Sequence, residues 1–168
     1  MRRLILMRHA KSSWDHPELS DHDRPLNGRG RRSAELMGAW LDENGYRPDA
    51  AFVSTAERTR ETWARLAPVH EGCEATASST LYLATSETIL RALHDAPEVP
   101  CLLILGHQPG IGVFAERALA APPRDPAFEK FPTAAVAVID FPVARWKDVQ
   151  LGTGRLVDFA TPKALTHG

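Results

Sequence analysis

Apolar residues in the first two thirds of the chain gather into three short runs, each closed by a polar break. Residues 3–8 read as a strand of the kind buried on both faces of a parallel sheet. Residues 10–27 then show neither helical nor strand periodicity and contain Pro17 and Pro25. An irregular stretch of that length inside a compact fold usually serves function. From 28 to 44 the period becomes helical, with Leu36, Met37, Trp40 and Leu41 on one face and Gly45 as a stop. Residues 50–53 form the second run. Ser54-Thr55-Ala56-Glu57 matches a capping box and predicts a helix to about residue 67.

Residues 68–79 fit no single pattern. Residues 86–94 predict a helix that faces Ile89, Leu90 and Leu93 inward, and 101–105 form the third apolar strand. Gly106-His107-Gln108-Pro109 leads into another helix, with proline suited to its first position. Residues 134–139 and 149–159 read as later strands, candidates to pair antiparallel at an edge. Strands alternating with helices predict an α/β fold, a three-layer α/β/α sandwich on a mostly parallel sheet. A single domain over residues 1–168 is expected, since this length suits one core.

Composition narrows the function classes. The chain is 43% hydrophobic and 24% charged, ordinary for a globular protein. A net charge of −1, with no run of five basic residues, supplies no global field for nucleic acid, so no nucleic-acid partner is expected. Only Leu4-Ile5-Leu6-Met7 is apolar near the N-terminus. No signal peptide, membrane span or membrane partner is therefore expected. Cys73 and Cys101 form no CxxC pair, which argues against a disulfide framework or zinc knuckle and points to the cytoplasm. A monomer is expected.

The chemistry sits where each apolar run gives way to polar residues. The first ends in Arg8-His9, the second leads to a helix carrying Arg58 in its first turn, and the third ends in Gly106-His107. Open parallel sheets bind ligands beyond the carboxyl ends of their strands. Two arginines and two histidines would converge there, joined by the N–H groups of the helix after Pro109. Guanidinium groups grip phosphate in bidentate fashion and keep their charge, while imidazole is a competent nucleophile toward phosphorus. Singly, each residue reads as a solvated terminus, a surface arginine or a capping histidine; their joint position indicates a phosphoryl site. The Asp15-His16 and Asp21-His22-Asp23 groups mix imidazole with carboxylate, but at no firm metal-ligand spacing, so no metal is expected. Neither cysteine has an arginine six residues downstream, and a P-loop is absent.

Leu6-Met7-Arg8-His9-Ala10-Lys11-Ser12-Ser13-Trp14 resembles the RHG signature of the histidine phosphatase superfamily, which includes the phosphoglycerate mutases. Residues Ser54-Thr55-Ala56-Glu57-Arg58-Thr59-Arg60-Glu61-Thr62 resemble its second-arginine motif, and Gly106-His107-Gln108-Pro109 its second-histidine motif. Asp23-Arg24-Pro25-Leu26, Leu81-Tyr82 and Ala160-Thr161-Pro162-Lys163 are similar to the short phosphohistidine phosphatases of the SixA type. The resemblance implies a phosphoglycerate mutase-like fold, His9 as the phosphorylated nucleophile, and Arg8, Arg58 and His107 around the phosphate; Arg24 and Asp15 are further candidates to bind the substrate. It implies no metal or organic cofactor. Ala10 replaces the usual glycine. Asp15 stands where mutase-like members place an asparagine, so it would have to be protonated, paired with Arg24, or turned away from the phosphate.

In the mechanism this implies, His9 attacks phosphorus in line while a backbone carbonyl fixes its other ring nitrogen, and water then hydrolyses phospho-His9. The interval from 68 to 100 is short for a covering segment. An uncovered pocket suits a phosphorylated side chain on another protein, so phosphohistidine on a signalling or phosphotransfer protein of the histidine-phosphotransfer type is the first expectation. A small phosphate ester is the alternative substrate, and a non-catalytic phosphate-binding adaptor is the third reading. Asp15, Asp23 and Glu87 are the candidate proton donors.

Overall fold

The computed structural model describes residues 1–167, so residue 168 lies outside the description. Six strands form one mixed sheet: β1 (Arg2–Arg8), β2 (Ala50–Ser54), β3 (Glu74–Ser78), β4 (Cys101–Gly106), β5 (Val136–Phe141) and β6 (Arg155–Ala160). Their spatial order is β3-β2-β4-β1-β5-β6. β1 and β4, β4 and β2, and β2 and β3 pair parallel, while β5 runs antiparallel to both β1 and β6. The helices are α1 (Gly28–Glu43), α2 (Glu57–Ala64), α3 (Ser86–His94), α4 (Gly110–Ala118), α5 (Pro126–Lys130) and α6 (Pro162–His167). None of them is long and apolar enough to cross a membrane.

Strand alternation builds two cores, one on each face. Leu4, Leu6, Leu102 and Ile104 point to the side covered by α3, α4 and α5, where Ile89, Leu93, Ile111, Phe114 and Phe128 pack. Ile5, Met7, Leu103 and Leu105 point to the other side, against Ala34, Met37 and Leu41 of α1. Burial on both faces explains why β1 and β4 read as continuous apolar runs rather than as alternating ones. This is the expected phosphoglycerate mutase-like α/β/α arrangement.

Three local differences from the sequence reading have clear causes. β3 falls in the stretch that fits no pattern, because Glu74-Ala75-Thr76-Ala77 is exposed and held mainly by backbone pairing to β2. The last strand starts at Arg155 rather than at 149, since Trp146–Asp148 forms a 3-10 turn and Gly152 adopts positive φ. The capping box at Ser54 does not form. Ser54 instead closes β2, and the N-cap of α2 is Ala56, which has no side-chain acceptor to offer.

Candidate active site

Register places the site. Arg8 lies beside Gly106, and Val53 beside Leu105, so Ser54, Gly106 and Arg8 end three neighbouring strands at the same level. The His9 amide donates to the Gly106 carbonyl at 3.1 Å, tying the chain after β1 to the end of β4. α1 then begins against the loop beyond His9: a Cβ on Gly30 would stand 2.1 Å from the Lys11 carbonyl oxygen, so only glycine permits that approach.

His9, Arg8, Arg58 and His107 do converge. The rings of His9 and His107 stand 5.3 Å apart, and His9, Arg58 and His107 are all buried. Nδ1 of His9 lies 2.7 Å from the Ala10 carbonyl, which can only accept, so Nδ1 carries the proton and Nε2 the lone pair. Ala10 is itself buried, and its amide donates to Thr62 Oγ1 at 3.0 Å. Burial, more than the nearby cations, pushes the pKa of His9 down to about 3 and that of His107 down to about 4. Both rings are neutral at ordinary pH.

Ser54 Oγ stands 2.7 Å from His107 Nε2 and also receives the Ala56 amide at 3.3 Å. The hydroxyl keeps its proton free to donate to Nε2, and that direction would leave the imidazole proton on Nδ1. His107 Nδ1 and Arg8 Nε are buried and have no hydrogen-bond partner among the described residues. Burial and then the proximity of Arg58 lower the pKa of the Arg8 guanidinium. The cluster thus combines two buried nitrogens without a partner, the Arg8 Nε among them a certain donor, with two mutually repelling cations. An oxyanion would relieve both.

The long segment after β1 folds over this cluster and is closed at its base by the pairing of Ser12 with Leu26. Its 3-10 turn, Asp21–Asp23, delivers Asp21, which the sequence does not single out as a site residue. Arg58 donates to the Asp21 carbonyl at 2.7 Å and to its carboxylate at 3.0 Å; Arg24 and the Tyr82 hydroxyl donate to the same carboxylate. The Tyr82 hydrogen bond, together with those of the arginines, holds Asp21 at a pKa of about 2. Arg24 is buried beneath Trp14, its Cζ 3.4 Å from the centre of that ring, and it partners Asp21 rather than Asp15.

The other carboxylates named from the sequence stay outside the cluster. Asp15 is exposed and its backbone, not its side chain, bonds Ser13. Asp23 is exposed beside His22, whose other nitrogen meets Thr55 Oγ1 at 2.9 Å. Glu87 pairs with Arg117 at 2.6 Å. Among the described residues no three His, Cys, Asp or Glu side chains are grouped to hold a metal ion.

The fold recurs in known proteins. Residues 4–82 match the model of the histidine phosphatase superfamily, branch 1. A SixA protein of Agrobacterium tumefaciens superposes with a TM-score of 0.79 at 30% identity, covering 96% of this chain and 98% of that one. The chain belongs to the histidine phosphatase superfamily, in its SixA-type branch. An uncharacterized protein of Mycobacterium tuberculosis is 38% identical over 165 residues, which cover 94% of this chain and all of that protein. The protein histidine phosphatase SixA in complex with tungstate shares the fold, with a TM-score of 0.77 at 20% identity over 97% of this chain and 99% of that one.

Proposed function

We propose that the protein removes the phosphoryl group from phosphohistidine on another protein, through a phosphorylated His9 intermediate. The observation that carries this reading is the state of His9: buried, neutral, its Nδ1 anchored on Ala10 and its Nε2 lone pair available. Nε2 attacks phosphorus in line. Arg8, Arg58 and the Nδ1 proton of His107 take the equatorial oxygens, where preorganised charge contributes most to phosphoryl transfer. Water, entering from the side vacated by the leaving group, then hydrolyses phospho-His9.

The carboxylates favour phosphohistidine over an alkyl ester. Asp21 is the carboxylate within the cluster, and at a pKa of about 2 it is ionised and cannot supply a proton. Asp15 and Asp23 are exposed, and Glu87 is engaged by Arg117. An alkoxide needs an acid to leave, whereas the imidazole of phosphohistidine can leave neutral if its distal nitrogen is already protonated.

The test compares kcat/KM on chemically phosphorylated histidine proteins with that on alkyl phosphates, for the wild type and for Asp15→Asn, Asp23→Asn and Glu87→Gln. Each variant should retain phosphohistidine turnover to within about tenfold, under roughly 1.4 kcal/mol. Alkyl phosphates should be poor substrates throughout. Efficient alkyl-phosphate turnover, lost in one carboxylate variant, would instead identify a small-molecule phosphatase and its acid.

A further inference from the structure

A basic groove lies at the same end of the sheet as the His9 cluster. Two cavities of about 580 and 600 Å³ lie side by side, sharing Arg29, Ser33, Pro162 and Lys163 as walls. Lys11, Arg29, Arg32, Lys130 and Lys163 line them; all five are exposed, and none enters an ion pair among the described residues. One acid, Asp125, shares the walls, and its carboxylate accepts the Ala127 amide at 2.9 Å. A chain with twenty Lys and Arg and a net charge of −1 thus concentrates five unpaired cations on one groove. Like charges gathered without counter-ions raise the local potential, and an anionic partner would lower it.

The topology sets this groove at the catalytic end of the sheet. β6 runs parallel to β1, with Met7, Val136 and Ala160 abreast, so Thr161 and α6 emerge where Arg8 and His9 do. Lys11 comes two residues after His9. The backbone from Lys130 to Ala134 buttresses the site directly. Arg8 donates to the Phe131 carbonyl at 3.2 Å, and the Ala134 amide donates to the His9 carbonyl at 2.9 Å.

We propose that this groove docks an acidic segment of the phosphorylated partner protein, beside the phosphohistidine presented to His9. The inference rests on the phosphoprotein reading above. Five cations from four separate segments, spread over two cavities, exceed what one phosphoryl group can engage; an acidic stretch of polypeptide fits that spacing. Rim charges of this kind act mainly on association, and salt screens them beyond about 10 Å at 0.1 M.

The test uses two fluorescent histidine peptides, one flanked by Glu and Asp and one by Gln and Asn, each with and without chemical phosphorylation. Anisotropy reports binding of the unphosphorylated pair to the wild type and to Arg29→Glu/Arg32→Glu/Lys163→Glu. The acidic peptide should bind the wild type at least tenfold more tightly than the neutral one, and this preference should vanish in the variant and at high salt. Phosphorylated peptides should show the same pattern in kcat/KM, while turnover of p-nitrophenyl phosphate stays unchanged, which also reports correct folding. Equal binding of the acidic peptide by both proteins would overturn the groove, whatever the turnover. Charge-dependent binding without phosphohistidine turnover would overturn the substrate reading and leave the groove standing. A single-stranded oligonucleotide that outcompetes the acidic peptide would also overturn the proposal, because the groove would then serve a nucleic acid.

Discussion

Ser54 Oγ lies 2.7 Å from Nε2 of His107, at the ends of two adjacent parallel strands. Donation from the Ser54 hydroxyl to Nε2 would hold the His107 proton on Nδ1, the nitrogen assigned above to the phosphoryl group. Ser54→Ala should therefore lower kcat about tenfold, near 1.4 kcal/mol, with little change in KM. 15N NMR should show a single His107 tautomer in the wild type and a mixture in Ser54→Ala. A fall in thermal stability with kcat and tautomer unchanged would reduce Ser54 to a packing role.

Arg58 and Arg60 share α2 but not its environment: Arg58 is buried against Asp21, and Arg60 is exposed. Arg58→Ala should lose roughly 2.7–4 kcal/mol of transition-state stabilisation, the range for removing one preorganised donor. Arg58→Lys should recover part of this, since an ammonium restores charge but not the planar fork. Arg60→Ala should be nearly silent. Steady-state kinetics on an aryl phosphate measures all three, and equal losses at the two arginines would contradict the assignment.

Asp21 anchors Arg58 through both its carbonyl and its carboxylate. Asp21→Asn keeps the shape and removes the charge, so Arg58 should loosen and kcat should fall by tenfold or more. If Asp21 instead competed with phosphate for the guanidinium, the same substitution would lower KM and raise kcat/KM. The sign of the change distinguishes the two.

Much of this site is legible in the sequence because three strand ends carry it, and buried parallel strands advertise themselves as apolar runs. Arg8, His9, Arg58 and His107 emerge from that rule together with the motifs they resemble. Asp21 does not, since its partners Arg24, Arg58 and Tyr82 are 3, 37 and 61 residues away, and an Asp-His-Asp group reads locally like a metal site. Ser54 is obscured for a related reason. A serine three residues before a glutamate fits a cap, and only the register of β2 against β4 reveals the histidine beside it. Edge strand β3 is hidden because its side chains are exposed and carry no apolar signal.

The two buried histidines predict how stability depends on pH. Their folded pKa values, about 3 for His9 and about 4 for His107, lie below the ordinary 6.5, so the unfolded chain binds protons more readily. Their contribution is complete above pH 6.5 and is lost as pH falls toward the folded values. Between pH 7 and pH 5 each should withdraw about 1–2 kcal/mol of stability. Urea denaturation at the two pH values should show this loss in the wild type, and a smaller one in His9→Asn/His107→Asn. An identical loss in both proteins would mean that the imidazoles are not held neutral.

The measurement that bears most directly on the whole account is a rapid quench of the wild type with 32P-labelled phosphohistidine peptide. If His9 carries the phosphoryl group, the trapped protein will hold label that is lost in acid and kept in base, on the peptide containing His9. His9→Ala should form no adduct and turn over no substrate. An acid-stable adduct, or label persisting in His9→Ala, would contradict the mechanism.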